Sequence, residues 1–364
     1  MKTARYVYFD VLRAVAMVRV VVFHTIGYGV LSIVFPAMGV MFALAGSLMA
    51  RTLDRVGPRV AVTGRLRRLL PALWVLGAIG VSVMVWHGWS DADYRPLNVK
   101  QLLLWLLPVV DPPASDWGVE YFAAVLWYLR TYLWLVLLSP LLLPLFRRWP
   151  IPTLVAPLAA LLVIGLGYVC LESLAGTALY DLVTWMPCRL LGFAHRDGML
   201  HRLKAPVVAG LALLSGALAA VWYFRHPSTE MPWDLNAVPL ANVLWSIAFL
   251  VVMLRWRPQM AWLTRTRPLH RLVGVLNARA VTIYLWHMPA VLVAGLLLDR
   301  LGLDSQAALL GAVWLVTGMF VLALGWVEDL AARRGPRLVP DPYGPPPAPR
   351  RHYDEAGAST GGGG

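Results

Sequence analysis

The chain has few charged residues and still fewer acidic ones. Of its 364 residues only 14% are charged, and 19 acidic residues stand against 32 lysines and arginines. Soluble domains average about 25% charged residues, so this composition excludes a large soluble domain. Apolar residues take the place of the missing charge: 59% of the chain is hydrophobic, in long blocks rather than in amphipathic or alternating patterns. Such blocks are typical of an integral membrane protein.

Cysteine is also scarce. The chain has 2 cysteines, Cys170 and Cys188, and both fall inside predicted membrane segments without the spacing of metal ligands. We therefore predict neither a disulfide framework nor a metal site, and we interpret both thiols as small buried groups.

We predict an all-α fold with about ten membrane-spanning helices. The predicted spans are residues 8–26, 30–50, 70–86, 121–146, 151–170, 181–194, 206–224, 238–254, 280–298 and 307–327. The apolar block 102–110 is too short to cross a bilayer, so we expect a re-entrant or interfacial helix there. Residues 1–335 form one transmembrane domain in this interpretation, and the Pro- and Gly-rich residues 336–364 form a disordered cytoplasmic tail.

The distribution of basic residues predicts the orientation. With the N-terminus inside the cell, lysines and arginines concentrate in the cytoplasmic segments, which are the first residues and 51–68, 147–148, 196–204, 255–279 and 333–351. The outer loops are mainly acidic, so the positive-inside rule places both termini in the cytoplasm of a multi-pass plasma-membrane protein. This topology accounts for most of the net charge of +13, and we therefore predict no nucleic-acid partner.

The first predicted span carries charges that a lipid-facing helix avoids. Asp10, Arg13, Arg19 and His24 interrupt its apolar sequence. The separation of Arg13 and His24 places them about 20° apart on one helix face and roughly 16 Å apart along the axis. A charge at membrane depth costs about 2.5 to 3.5 kcal/mol on insertion scales, so it needs a function or a partner. Arg19 lies on a different face, and we predict a structural role that needs a partner on a neighbouring helix or a watery cavity.

Several short motifs, taken in order, resemble the membrane acyltransferase-3 family. They are Asp10-x-x-Arg13 followed by His24, the segment 38–48, the basic run 65–71, Trp127-Tyr128-Leu129 with Tyr132 and Pro140, and the segment 284–289. The likeness extends from Tyr6 to about Val327. Ala45 and Ser47 replace the serine and the aromatic residue usual in the family, and Arg130 and Thr131 stand where a glutamate is common.

The resemblance implies an enzyme that moves an acyl group, acetyl or another short acyl, from acyl-CoA to a hydroxyl. The acceptor would be a sugar, a cell-envelope component, a lipid or a secondary metabolite. A neutral imidazole suits proton transfer near pH 7, and we expect His24 to be the base. His24 either activates the acceptor or becomes acylated itself. Arg13 either holds a substrate or pairs with Asp10, three residues earlier, and Asp10 has a supporting role.

Arg65, Arg67 and Arg68 form a predicted basic loop on the cytoplasmic side, where acyl-CoA is made. The pyrophosphate and 3′-phosphate of CoA need charge-assisted donors, so we expect these arginines to bind the head group. The competing interpretation is ordinary anchoring beside anionic lipid. His287 is a second intramembrane histidine, and its segment 284–289 is a candidate lining for the cytoplasmic half of the same cavity.

Two other functions fit the same pattern. Arginines and histidines inside a helix bundle also build proton and substrate pathways, so a secondary transporter or exporter is the main alternative. The altered second-helix motif leaves a catalytically inactive scaffold as another. The cytoplasmic arginines and the spacing from Arg13 to His24 favour the acyltransferase. In that interpretation acyl-CoA is used from the cytoplasmic face and the acceptor is modified outside.

Overall fold

The computed structural model describes residues 4–92, 94–228, 231–256, 258 and 260–340. Residues 341–364, most of the predicted disordered tail, lie outside these ranges. Within them the chain forms helices and no β-strand. The α-helices are α1 (Ala4–Ile26), α2 (Val30–Val34), α3 (Ala37–Trp86), α4 (Asp116–Gly118), α5 (Leu126–Arg148), α6 (Pro150–Gly165), α7 (Leu174–Arg196), α8 (Met199–Arg202), α9 (Ala205–Arg225), α10 (Pro239–Arg255), α11 (Ala261–Arg265), α12 (Arg267–Ala278), α13 (Ala280–Leu301), α14 (Gln306–Leu324) and α15 (Trp326–Ala331).

The apolar helices confirm the expected all-helical membrane protein. Segments long and apolar enough to cross a bilayer are Val30–Trp86, Leu126–Arg148, Ala205–Arg225, Ala280–Leu301 and Gln306–Leu324. The apolar helices α6 and α10 are shorter, with 16 and 17 residues. Helices α1 and α7 have 23 residues each but contain charged side chains. Each predicted span overlaps one of these helices, while the number of crossings and the side of the termini stay predictions.

Helix α3 replaces two predicted spans and the loop between them. Its 50 residues are interrupted at Gly57, where φ is 77° and ψ is 171°. A positive φ suits glycine, and Pro58 can begin a new helical segment because its missing N–H would be unsatisfied there anyway. The prediction of a basic loop at 51–68 was therefore wrong. Residues 51–68 are helical on both sides of the kink at Gly57. The helix therefore sets the directions in which the side chains of Arg65, Arg67 and Arg68 point.

Two glycines bring α3 and α7 into close contact. A Cβ atom at Gly46 would lie 2.2 Å from the Arg189 carbonyl oxygen, and one at Gly192 would lie 2.0 Å from the Ala43 carbonyl oxygen. Small residues allow helix backbones to approach this closely. The contact fixes the part of α3 from which Ala45 lines the cavity described below.

A connection that does not span the bundle joins α3 to α5. The segment 102–110, predicted as a re-entrant or interfacial helix, contains the end of a 3₁₀-helix over Val99–Trp105. The indole N–H of Trp105 donates to the Pro113 carbonyl oxygen at 3.0 Å. Farther along, Asp111 forms an ion pair with the buried Arg130 of α5. These contacts attach the connection to the helix bundle.

Candidate functional site

A cavity of about 420 Å³ lies between α1, α3, α5, α12, α13 and α15. Its basic lining comes from distant parts of the sequence. Arg13 belongs to α1, Arg65 and Arg68 belong to α3, and Arg334 follows α15. The fold thus places two predicted motifs, the first-helix arginine and the basic run of α3, on one cavity.

Arg13 lines the cavity without a hydrogen-bond or ion-pair partner among the described residues. Its side chain is half-buried, and no hydrogen bond or ion pair joins its guanidinium to another residue in the described ranges. The Asp10 carbonyl oxygen accepts a hydrogen bond from Asn277 Nδ2 at 2.7 Å, which holds α1 against α12.

The three arginines expected to bind the CoA head group divide into two sets. Arg65 and Arg68 line the cavity. Arg67 lies outside the lining, because its Nε donates to the Ala331 carbonyl oxygen of α15 at 3.2 Å. Helix geometry explains the division: positions three apart share a face, whereas adjacent positions are about 100° apart.

The two carboxylates of the cavity are already engaged by the protein. Glu328 accepts hydrogen bonds from the backbone N–H and the hydroxyl of Thr282 at the start of α13. Burial raises the pKa of its carboxyl, and the bonds from Thr282 act in the opposite direction. Asp329 accepts a hydrogen bond from Arg279 Nη2 at 2.7 Å. Neither carboxylate is paired with a cavity arginine, so those guanidinium groups can receive an anionic ligand.

Aromatic rings connect the cavity with the intramembrane histidines. Tyr132 and Tyr128 of α5 stack with their ring centroids 6.3 Å apart. The Tyr128 ring lies 5.0 Å from that of Tyr284 on α13, which in turn lies 5.7 Å from the His287 ring. The Tyr284 hydroxyl donates to the Val125 carbonyl oxygen. This bond holds the ring of Tyr284 between the cavity, which it lines, and His287.

His24 and His287 lie against each other, with ring centroids 5.2 Å apart. His24, in the last turn of α1, is exposed, whereas His287 is 0% exposed. His287 was expected at a separate, cytoplasmic level, and the structure instead places it beside His24. The two helices therefore bring two imidazole rings to the same point of the bundle.

The hydrogen bonding of His287 determines its tautomer. Its Nδ1 lies 2.6 Å from the Tyr284 carbonyl oxygen. A carbonyl oxygen only accepts, so Nδ1 carries the proton and Nε2 holds the lone pair of the neutral ring. Across the described ranges this buried Nε2 has no hydrogen-bond partner. Its lone pair can accept a hydrogen bond from a bound group.

Arg19 has the structural partner that the sequence predicted. Its Nε donates to the Leu31 carbonyl oxygen of α2 at 3.1 Å. Its guanidinium also lies 4.7 Å from the centre of the Phe23 ring, a distance suited to a cation–π contact. The prediction of a bond to a neighbouring helix is confirmed.

The sequence analysis missed several arginines that the fold uses. Arg130, Arg189 and Arg279 are 0% exposed. Arg189 donates to the Ser139 hydroxyl at 2.9 Å and lies 5.8 Å from the ring centre of Tyr132. The signal was present, since each of these arginines interrupts or borders an apolar segment, yet the sequence pattern does not say which arginine is paired with a carboxylate. Arg334 was assigned only to the positive-inside charge.

The cavity supplies guanidinium donors, and the two imidazoles of His24 and His287 lie together outside its lining. Among the residues described, no group of three or more His, Cys, Asp or Glu side chains could hold a metal ion. The guanidinium groups can bind phosphate or carboxylate through paired N–H donors. An imidazole can accept a proton from a hydroxyl near neutral pH.

Comparisons with known proteins agree with the motifs. A family model described as an acyltransferase domain matches residues 6–327. The comparison with curated proteins gave no match, and neither did the comparison with solved structures. The match covers the first-helix motif, the basic run of α3 and the segment of His287. The chain therefore belongs to the acyltransferase-3 family.

Proposed function

We propose that this membrane acyltransferase moves acetyl, or another short acyl group, from acyl-CoA to a hydroxyl group. One observation carries the proposal: Arg13, Arg65 and Arg68 meet in one cavity without a carboxylate partner among the described residues. Unpaired guanidinium groups in a partly enclosed site call for an anionic ligand. The phosphates of acyl-CoA meet that need, and the aromatic rings above them can line the path of the pantetheine arm.

The transfer step uses His24 as its base. The His24 imidazole takes the proton of the acceptor hydroxyl while the hydroxyl oxygen attacks the thioester carbonyl carbon. The new C–O bond forms, the C–S bond breaks, and the imidazolium returns the proton to the departing CoA thiolate. In the covalent route His24 itself attacks the thioester and then passes the acyl group to the hydroxyl. Both routes release one CoA thiol for each ester formed.

His287 is a positioning residue in this proposal. Its ring packs against His24, and its Nδ1–H bond to the Tyr284 carbonyl oxygen fixes its orientation. A fixed neighbouring imidazole restricts the ring positions that His24 can occupy. Its lone pair on Nε2 can also accept a hydrogen bond from a group bound beside His24.

The charge distribution supports a plasma-membrane protein with about ten spans and both termini in the cytoplasm. Arg65 and Arg68 then belong to the cytoplasmic side, and His24 lies farther along α1 toward the outside. Acyl-CoA enters from the cytoplasm in this arrangement. The acceptor is a sugar, a cell-envelope component, a lipid or a secondary metabolite that is modified outside. The lipid bilayer is the remaining partner, and no nucleic acid is involved.

The experiment that tests the proposal follows the acyl group itself. The purified protein is reconstituted in vesicles of known orientation and given acetyl-CoA labelled in the acetyl group, together with lipid, glycan and metabolite fractions from the host cells. We expect release of CoA thiol and transfer of the label to an ester detected by mass spectrometry. Cells with and without the gene should differ in the same ester.

Three results would contradict parts of this proposal. Movement of an unmodified solute across the vesicle membrane without any ester would favour the transporter. No transfer and no transport with any fraction would favour the inactive scaffold. Transfer only when donor and acceptor are both on the cytoplasmic face would retain the acyltransferase and reject modification outside.

A further inference from the structure

The cavity wall includes residues beyond the family match. The match ends at residue 327, yet Glu328, Asp329, Ala332 and Arg334 line the cavity. Glu328 accepts hydrogen bonds from Thr282, Asp329 accepts one from Arg279, and Ala332 directly follows the last residue of α15. Arg334 is the cationic member, and it is exposed. Its guanidinium, like that of Arg13, forms no hydrogen bond or ion pair inside the described part of the chain.

A buried arginine fastens this segment to the start of α13. Arg279, 0% exposed, donates to the Gly325 carbonyl oxygen at 2.6 Å and to Asp329 at 2.7 Å. It also donates to the Arg337 carbonyl oxygen, and the Arg337 N–H donates to Asp329 at 3.1 Å. These bonds lie on both sides of Arg334 in the sequence. They hold its backbone against the cavity without using its side chain.

Helix α3 adds a second attachment. Arg67 Nε donates to the Ala331 carbonyl oxygen at 3.2 Å, which ties the end of α15 to the helix that carries Arg65 and Arg68. Arg68 is close enough to Arg65, Arg334 and Arg67 for electrostatic repulsion from each of them. Like charges held together against their repulsion are stabilised when an anion binds between them.

We propose that the segment from Glu328 to Arg337 is a wall of the acyl-donor site and that Arg334 binds the phosphates of the donor together with Arg65 and Arg68. This inference rests on the proposed function and adds a binding residue from outside the family domain. Arg279 acts as a positioning residue, since it fixes the segment and is not part of the cavity lining.

The adjacent residue provides a matched control. Arg333 has the same charge and is also exposed, but it is not part of the cavity lining. The full-length variants Arg334→Gln and Arg333→Gln are purified in detergent, and the binding of CoA and of acetyl-pantetheine is measured by calorimetry. Thermal unfolding of both variants checks that the fold is retained.

Arg334→Gln should weaken CoA binding by about tenfold or more, the usual effect of losing a hydrogen bond to a charged group. It should leave acetyl-pantetheine binding unchanged, and Arg333→Gln should bind both ligands like the original protein. Arg334→Lys should recover part of the loss, because it restores the charge without the planar fork.

Other outcomes separate this inference from the proposed function. If Arg65→Gln and Arg68→Gln weaken CoA binding but Arg334→Gln does not, Arg334 is not a ligand of the phosphates. The proposed donor site at Arg65 and Arg68 is then retained. If none of the three variants affects CoA binding, both proposals fail. Equal losses of CoA affinity in Arg333→Gln and Arg334→Gln would mean that only the overall positive charge matters. That result would overturn the specific role of Arg334.

Discussion

Arginine is used in two different ways in two regions of this molecule. Arg130 and Arg279 are fully buried, and both are paired with carboxylates: Arg130 with Asp111 and Asp181, Arg279 with Asp329. The cavity set, which is Arg13, Arg65, Arg68 and Arg334, is half-buried or exposed and has no carboxylate partner within the described ranges.

The arginines paired with carboxylates stabilise the fold, whereas the unpaired cavity arginines are available to bind a ligand. A guanidinium removed from water needs polar or aromatic partners, since an unpaired buried charge costs several kcal/mol. Carboxylates serve Arg130 and Arg279, whereas the equally buried Arg189 has the Ser139 hydroxyl and the Tyr132 ring. The paired arginines therefore join parts of the chain: Arg130 joins α5 to α7 and to the connection before it. A guanidinium that keeps access to solvent or ligand can remain unpaired, and it is then free to bind an anion.

The largest expected effect comes from His24, which lies against His287 and outside the cavity lining. His24→Ala should lower the rate of acyl transfer by about 10² to 10⁴, the usual effect of losing a general base. The fold should be unaffected, because the His24 side chain is exposed at the end of α1. Transfer by the purified protein and its thermal unfolding are measured together. Activity within a few-fold of the original would remove His24 from the mechanism.

The paired arginines should give the opposite result. Arg130→Met leaves Asp111 and Asp181 facing each other without their cation, which should cost about 3 to 5 kcal/mol of stability. We expect a clear fall in the unfolding temperature, and activity that falls only as far as the folded fraction does.

A surface ion pair provides the control for this variant. Arg95 lies 3.9 Å from Asp116, and both side chains are at least half exposed, so Arg95→Met should change stability by less than about 1 kcal/mol. An unfolding temperature of Arg130→Met equal to that of Arg95→Met would show that the buried pair is not holding the helices together.

A third effect concerns the donor rather than the fold. Arg65→Ala and Arg68→Ala should raise the KM for acetyl-CoA by about tenfold, because each removes a charge-assisted contact with phosphate. The KM for acetyl-pantetheine, which lacks the nucleotide, should not change. Arg59→Ala, an exposed arginine of α3 outside the cavity lining, is the control. Equal losses with both donors would mean that the arginines hold the fold or the lipid boundary.

The smallest effect should follow removal of Arg67. Its bond to the Ala331 carbonyl oxygen holds the end of α15, so Arg67→Ala should loosen the wall without removing a phosphate contact. We expect the KM for acetyl-CoA to rise by about threefold or less, because the lost bond positions the wall and does not contact the donor. A rise as large as that of Arg65→Ala would place Arg67 in the donor site, as the sequence first suggested.

Much of the site could be predicted because its residues interrupt apolar sequence. Arg13 and His24 were identifiable in this way, and the basic run of α3 was identifiable by its charge. The division within that run was not predicted, because residues 51–68 were taken as a loop. Because this segment is a helix, Arg65 and Arg68 lie on one face and Arg67 lies on another.

By itself the sequence determined the membrane class, the helical content and the family, because these depend on composition, block length and short motifs. Only the tertiary structure decided which arginines are paired, that His287 lies against His24, and that Arg334 joins a cavity built by α1 and α3. Ion pairs and ring contacts depend on distances of a few ångströms between residues far apart in the chain. Charge at a position shows that a partner or ligand is needed, and the packing of the helices determines which one it receives.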